Sequence, residues 1–363
     1  MSAAPRSFRL QVPEPALQDL RERLARTRFP DEPPPEPWVT GTSLSYLKDL
    51  VGYWRAGFDW RAQEARLNRF AQYKVAIGGV ELHFIHEPGR GARPVPLLLM
   101  HGWPGSVWEF HQLIPLLTEH FTVVAPSLPG FTLSYTPGQP RFGSVEMAEV
   151  FAELMSVLGY RKFGAQGGDW GASIATRLGY AFAERLIGIH LNMLSIRRDP
   201  DIAAATPEEA AYLAQLRNFM QEETGYQWIQ GTKPQTLAYG LTDSPAGLAA
   251  WIAEKFRSWS DEPISPDDLL ANISLYWFTG AIGSSFWPYY ARRHQGWPIP
   301  AGKTIDVRMG YAEFPKEILR PPRSLAEKTY TRIERWTSMK KGGHFAALEQ
   351  PAALAEEIKA FFG

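Results

Sequence analysis

RKFGAQGGDWGASIATRLGYAF, residues 161–182, is the stretch whose reading decides the fold. Its first part reads as a short strand and its last part, from Ala172, as a helix. Between them stands Gly167-Gly168-Asp169-Trp170-Gly171. Glycines two before and two after Asp169 let a strand turn sharply into a helix with the central side chain exposed at the apex. In turns of this kind the apex usually carries a hydroxyl, which a base must deprotonate. Here it carries a carboxylate, whose ordinary pKa of about 3.9 leaves it ionised at neutral pH without such help. A carboxylate suits attack on a saturated, electrophilic carbon, and the alkyl ester it leaves must then be hydrolysed by other groups. The helix N-terminus behind Asp169 favours negative charge at that point. The competing reading is structural, with Asp169 as a helix N-cap. The pentapeptide alone does not separate the two.

Outward from this turn the sequence alternates strand and helix. VPLLLM (95–100) is a continuous apolar run, as a strand buried on both faces requires, and FTVVAPSLPGF (121–131) is a second strand running into a Pro/Gly turn. Met147, Val150, Phe151, Leu154, Met155 and Leu158 mark an amphipathic helix. Strands resume at TIDVRMGYAEF (304–314) and RIERWTSM (332–339), and a helix from Pro351 closes the chain. The alternation implies an α/β fold, a mostly parallel sheet with right-handed crossovers, flanked by helices. Residues 196–300 break the rhythm, being helix-rich and heavy in Trp and Tyr, and read as an inserted helical lid. Upstream, Leu17, Leu20 and Leu24 predict one helix. Leu44, Leu47, Val51 and Trp54 predict a second behind a Ser43 cap, and KVAI and VELHFIHE around Gly78-Gly79 predict a hairpin. The proline-rich stretch Pro30–Pro37 separates the two helices. Four regions follow: 1–93, a helical lead-in with the first hairpin; 94–195, the first half of the core; 196–300, the lid; 301–363, the second half of the core.

Composition narrows the function classes. Lys+Arg and Asp+Glu balance at 38 each, so nothing points to nucleic acid or an anionic membrane. With no cysteine there are neither disulfides nor thiolate metal sites. MSAAPRSFRLQVPEPAL lacks the apolar core of a signal peptide, and no run approaches a membrane span. The expectation is a cytoplasmic protein without a membrane span, with a homodimer as the default assembly. Thirteen tryptophans supply core, and large aromatics also line apolar ligand pockets.

If Asp169 is a nucleophile it needs partners. His344, in GGHFAALEQP (342–351), follows two glycines that allow a loop to approach closely, and it lies late in the chain. Nucleophile, then acid, then histidine is the chain order of α/β-hydrolases. Glu317, in a loop after the strand at 304–314, is the candidate acid to orient His344, with Glu313 and Asp306 as competitors. HGWPGS (101–106), directly after the strand at 95–100, can aim the Trp103 backbone N–H at a developing oxyanion, with the Trp170 N–H as its partner. Pro104 favours a cis peptide before it, and His101 reads as loop architecture rather than a base. No lysine follows these glycines as a P-loop needs.

Together these motifs resemble the epoxide hydrolases of the α/β-hydrolase fold, specifically the microsomal-type branch, over nearly the whole chain. HGWPGS resembles the family's oxyanion loop, GGDWGASIA its nucleophile elbow, EFPKEIL its acid loop and GGHFAALEQP its histidine loop. ETGYQWIQGTKPQT, with Tyr226, and YWFTGAIGSSFWPYY, with Tyr289 and the adjoining Tyr290, resemble its lid segments. The resemblance implies two lid tyrosines, Tyr226 and Tyr289 (or Tyr290), contacting the epoxide oxygen. It also implies conversion of an epoxide to a vicinal diol through an aspartyl ester, without metal or organic cofactor, on a small apolar substrate. Microsomal members carry an N-terminal anchor and this chain begins with the lead-in, so the expectation is a soluble member. A haloalkane or haloacid dehalogenase would use the same nucleophile with halide leaving. A non-catalytic receptor would use the lid to enclose a ligand. An esterase would need a serine or cysteine at the elbow.

Overall fold

A computed structural model describes residues 4–34 and 36–363. Met1–Ala3, at the head of the N-terminal segment read above, and Pro35, within the proline-rich stretch, lie outside the described residues. The lead-in contains strand β1 (Arg6–Phe8) and helices α1 (Glu14–Ala25), α2 (Leu44–Ala56) and α3 (Trp60–Leu67). In α1 Leu17, Leu20 and Leu24 are buried, in α2 Leu47, Val51 and Trp54 are buried and Leu44 is half-buried, and the Ser43 hydroxyl caps α2 by accepting from the Tyr46 N–H. The hairpin follows as β2 (Gln72–Ile77) and β3 (Val80–Glu87), paired antiparallel with Ile77 opposite Val80 across Gly78-Gly79.

The core continues through β4 (Val95–Met100), α4 (Leu113–Leu117), β5 (Phe121–Pro126), α5 (Ser144–Val157), β6 (Phe163–Gly167), α6 (Asp169–Ala181) and β7 (Leu186–Leu191). After the lid, whose seven helices lie between, come β8 (Met309–Glu313), α14 (Arg323–Ala326), β9 (Ile333–Ser338), α15 (Ala346–Glu349) and α16 (Pro351–Phe362). One nine-stranded sheet results, in the order β1-β2-β3-β5-β4-β6-β7-β8-β9. Its β1–β2, β2–β3 and β3–β5 pairs are antiparallel and the rest parallel. The central strands β4, β5 and β6 are apolar on both faces, and Leu97, Leu98, Leu99, Val123, Val124, Phe163 and Ala165 are fully enclosed. This is the mostly parallel α/β arrangement that the alternation implied, and it agrees with the α/β-hydrolase fold that the resemblance implied.

Two details depart from the sequence reading. The strand predicted over 304–314 is limited to β8, with Ile305 forming only an isolated bridge to Tyr330. Asp306 therefore lies outside the strand, exposed and accepting from the Thr331 hydroxyl. The lead-in is also not purely helical, since β1 extends the sheet beyond β2.

The lid comprises α7 (Pro207–Glu222), α8 (Gly225–Thr232), α9 (Pro234–Asp243), α10 (Pro245–Trp259), α11 (Pro266–Thr279), α12 (Ile282–Ser285) and α13 (Trp287–Gln295). Its helix starts follow from sequence: prolines 207, 234, 245 and 266 each occupy a first helical position, and Thr206, Ser244 and Ser265 cap the turns behind three of them. The lead-in holds the lid down. Trp54, on the buried face of α2, donates its indole N–H to Ser274 on α11 at 3.1 Å, and Arg23 on α1 pairs with Asp243 at 2.9 Å. Among the described residues no helix is long and apolar enough to cross a membrane. Replacing Trp54 with Ala removes a large buried side chain together with its hydrogen bond. It is expected to cost about 3–5 kcal/mol of stability. Chemical denaturation measures this, and an unchanged midpoint would show that the lead-in does not contribute to a common core.

Candidate active site

Four of the loops read as functional leave the C-terminal ends of parallel strands in the middle and on one side of the sheet, where ligands of open α/β sheets bind. Residues 101–106 follow β4, Asp169 follows β6, Glu317 follows β8 and His344 follows β9. Asp169 has a left-handed backbone, φ 46°, which is costly for a residue with a Cβ. Its neighbours enforce it: a Cβ at Gly171 would collide with the Met100 carbonyl, and one at Gly167 with Gly171 itself. The N-cap of α6 is Gly168, without a side-chain capping bond, so the helix-cap reading of Asp169 does not describe what its carboxylate does. Instead Oδ1 accepts the Trp103 N–H at 2.7 Å, and the Trp170 N–H also bonds the carboxylate.

The loop carrying Trp103 is fixed from two sides. Its Trp103–Pro104 peptide is cis, as the sequence favoured. From the lid, Asn272 donates to the Pro104 carbonyl at 2.8 Å and Tyr276 to the Gly105 carbonyl at 2.7 Å. His101 is buried with both ring nitrogens engaged: Nδ1 meets the Gly102 carbonyl at 3.1 Å and Nε2 accepts the Leu128 N–H at 3.2 Å. Burial pushes its pKa down to about 4, against the Gly102 bond, so it stays neutral and holds the loop.

His344 lies opposite. Its Nδ1 is 2.7 Å from Glu317 Oε1 and its Nε2 is 3.6 Å from Asp169 Oδ2, too long for a direct hydrogen bond. The His344 backbone N–H donates to the Trp259 carbonyl at 2.9 Å, and a Cβ at Gly343 would strike that same carbonyl, which is why the loop has glycine there. The Glu317 side chain is fully enclosed, and its Oε1 also accepts the Ile318 N–H at 2.7 Å. The competing acids are elsewhere: Glu313 accepts from Ser338, and Asp306 from Thr331. The structure therefore brings Asp169, His344 and Glu317 together and leaves Glu313 and Asp306 out.

Electrostatics couples the three. Burial alone would push the His344 pKa down, but the charge and hydrogen bond of Glu317, helped by Asp169 and Glu109, raise it to about 9. That is a preference of about 3 kcal/mol for the imidazolium over an ordinary histidine. Burial raises the Asp169 pKa above the usual carboxylate range, opposed by the His344 charge and the Trp103 and Trp170 N–H groups. The carboxylate's charge thus depends on its surroundings, and not on the ordinary value alone.

Tyr226 and Tyr289 close the other side. Their rings are 5.8 Å apart, and both pack on Trp103, Tyr226 stacked at 5.4 Å and Tyr289 edge-on at 5.8 Å. Burial, above all, raises both phenol pKa values, which keeps the hydroxyls protonated as donors. Tyr290 faces away, stacked on Trp287 and His294, so Tyr289 is the one that faces Asp169. With Asp169, the two tyrosines line a cavity of about 390 Å³ whose wall includes Trp170, Leu216, Phe219 and Trp228.

Sequence reasoning passed over Glu109. Burial, then the nearby Asp169 charge, raises its pKa to about 8 against the His344 charge and the Ser106 backbone. With Gln166, Asn192, His344 and Asp169 it lines a second cavity of about 20 Å³ behind the nucleophile, room for one water. Gln166 gives its amide N–H to Asn192 at 2.8 Å while its Oε1 has no partner within the protein. The available signal was the position of Glu109 just downstream of HGWPGS, which does not show where its carboxylate points. Among the described residues no group of three or more His, Asp or Glu is arranged to hold a metal ion.

Comparison with known proteins agrees in both halves of the chain. Residues 5–110 match the family model described as epoxide hydrolase N terminus, and residues 95–263 that of the alpha/beta hydrolase fold. A protein of Stigmatella aurantiaca (strain DW4/3-1), provisionally named an epoxide hydrolase, is 43% identical over 98% of this chain and 84% of its own length. Epoxide hydrolase 1 of Oryctolagus cuniculus is 36% identical over 99% of this chain and 88% of its own. The structure of Aspergillus niger epoxide hydrolase superposes with a TM-score of 0.87 at 31% identity, covering 99% of this chain and 96% of that one.

If the Asp169 charge helps hold the proton on His344, then Asp169→Asn should lower the His344 pKa from about 9. Titration of the imidazole by NMR reads this directly. An unchanged or higher midpoint would show that the two groups are not coupled.

Proposed function

The chain belongs to the epoxide hydrolases of the α/β-hydrolase fold, and from that premise we propose that it opens its substrate by covalent catalysis through Asp169. The observation that carries this reading is the placement of a half-buried carboxylate at the elbow apex, between paired tyrosines on one side and a Glu-bound imidazole on the other.

An Asp169 oxygen attacks a ring carbon of the epoxide in the larger cavity. The C–O bond breaks, and its oxygen takes a hydrogen bond from each of Tyr226 and Tyr289, one of which delivers a proton. A phenol is a weak acid in water, but the opening alkoxide is more basic still. The ester that forms carries no charge, so one of the groups holding His344 protonated is lost. The imidazolium then gives up its proton more readily, restoring the tyrosine that protonated the alkoxide, and becomes a base for the second step. Water in the small cavity behind Asp169 is positioned by Glu109 and His344, loses its proton to Nε2, and attacks the ester carbonyl. The Trp103 and Trp170 N–H groups hold the tetrahedral oxyanion, and the diol leaves with Asp169 restored. Removing one such donor costs about 3 kcal/mol in other hydrolases. Glu317 keeps the imidazole oriented and stabilises its charge. The mostly apolar wall of the larger cavity supports a small, largely apolar epoxide. The cysteine-free composition supports a cytoplasmic location, and a homodimer is the symmetric default.

His344→Gln should form the ester and fail to hydrolyse it, so intact-protein mass spectrometry of that variant with styrene oxide should show a persistent adduct one substrate mass heavier. No adduct at any time would remove His344 from the second step. Tyr289→Phe should lower the rate of adduct formation by about 10²-fold, measured in single-turnover mixing. A rate within twofold of the parent would exclude its hydroxyl as a proton donor.

A further inference from the structure

Tyr226 and Tyr289 both line the larger cavity beside Asp169, but the protein surrounds them differently. The Tyr226 hydroxyl accepts a hydrogen bond from the Gln227 side-chain amide at 2.8 Å, which leaves its own proton for a substrate oxygen. Its ring stacks on Trp103 at an interplanar angle of 11°, and the Nζ of Lys255 lies over it, 4.6 Å from the centroid. Tyr289 makes edge-to-face contacts with Trp103 and Trp170 instead. Among the described residues no lysine or arginine lies over the Tyr289 ring, and no side-chain amide donates to its hydroxyl.

Lys255, on α10, is buried, which is unusual for a lysine. Its Nζ meets Glu254 Oε2 at 2.5 Å, and the Ser258 hydroxyl donates to the other Glu254 oxygen. The Glu254 side chain is partly exposed, so an ion pair alone could have been made at the surface. Enclosing an ammonium carries a desolvation cost, and its inward neighbours here are two aromatic rings, Tyr226 and, at 5.6 Å, Trp259.

A cation over a neutral phenol is attracted weakly, through the ring quadrupole. Once the phenol loses its proton the ring carries part of a full negative charge, and the same cation holds it more strongly. An interaction that grows along the reaction lowers the barrier, whereas one equal at both ends does not. The Gln227 amide acts in the same direction, since a donor on the phenolic oxygen favours the ionised form. We propose that Tyr226 is the tyrosine that protonates the opening epoxide, and that Lys255 is a positioning residue whose charge, with the Gln227 amide, stabilises the phenolate that results. The Asp169–carbon bond forms as the ring C–O bond breaks, and the Tyr226 proton moves to the freed oxygen. The phenolate persists until the His344 imidazolium returns a proton to it. Tyr289 supplies the second hydrogen bond to the same oxygen. This inference rests on the assignment of Asp169 as nucleophile and of the lid tyrosines as donors to the epoxide oxygen.

The test uses the full-length enzyme and two epoxides of similar shape, propylene oxide and its trifluoromethyl analogue, whose alkoxide is far less basic and needs a proton less. Single-turnover loss of epoxide reads the first step. Lys255→Met keeps the chain length and removes the charge. It should slow propylene oxide by about 10-fold, a cation–π contact's worth of barrier, and the trifluoromethyl compound by much less. Lys255→Arg, which keeps the charge, should restore most of the lost rate. Gln227→Leu, at a half-buried position, should show the same substrate dependence, and it carries the test if Lys255→Met does not fold. In a Tyr226→Phe background, Lys255→Met should add no further loss, whereas a packing role would add its full factor. Equal slowing of both epoxides, no slowing of either, or full additivity with Tyr226→Phe would overturn the inference and leave the Asp169 mechanism standing. If His344→Gln formed no adduct with either epoxide, the nucleophile assignment beneath it would fail as well.

Discussion

Taking a carboxylate out of water costs several kcal/mol unless fixed dipoles and an opposite charge replace the solvent. Asp169 stands where that replacement must also leave one face free to react. Two backbone N–H groups, an imidazolium 3.6 Å away and the start of α6 supply the compensation. Much of the remaining structure can be understood as holding those four in place. The elbow forces φ to 46° so that the carboxylate clears the helix, and the glycines at 167 and 171 let the strand end and helix start pass close enough to do so. The buried Glu317 keeps a positive charge on His344, which in turn makes a negative Asp169 tolerable.

The lid does more than cover the cavity. Helix α11 fixes the loop that carries the Trp103 N–H, through Asn272 and Tyr276, while α8 and α13 bring Tyr226 and Tyr289 against the Trp103 ring. The lead-in is tied to α11 in turn through Trp54 and Ser274. A region that reads in sequence as an appendage is therefore two contacts from a catalytic donor in the proposed mechanism. This gives a physical reason for the lead-in and the hydrolase core to occur together in one chain.

What could be read from sequence was what depends on local sterics or chain order. The elbow and the strand–helix alternation are local, and the structure reproduces them. Glu317 could be ranked above Glu313 and Asp306 by its loop position, but its enclosure and its 2.7 Å contact with His344 follow only from the packed fold. Tyr289 and Tyr290 were indistinguishable because neighbours on a helix differ by about 100° in direction, which only the packing of α13 resolves. Strand β1 is three residues with no apolar alternation, and it forms only because the edge of β2 is there to pair with. Glu109 was invisible for a different reason. It shares a cavity with Gln166, Asn192, Asp169 and His344, which lie far from it in the chain, so their convergence is wholly tertiary.

The covalent route is tested most directly by a single turnover in ¹⁸O-labelled water with enzyme in excess over epoxide. If Asp169 attacks the ring, the oxygen added to the first diol comes from the protein. That diol is then unlabelled, and the label is found in the Asp169 carboxylate by peptide mass spectrometry. Label in the first diol, with none in Asp169, would mean that water attacks the epoxide directly and would contradict the aspartyl-ester mechanism.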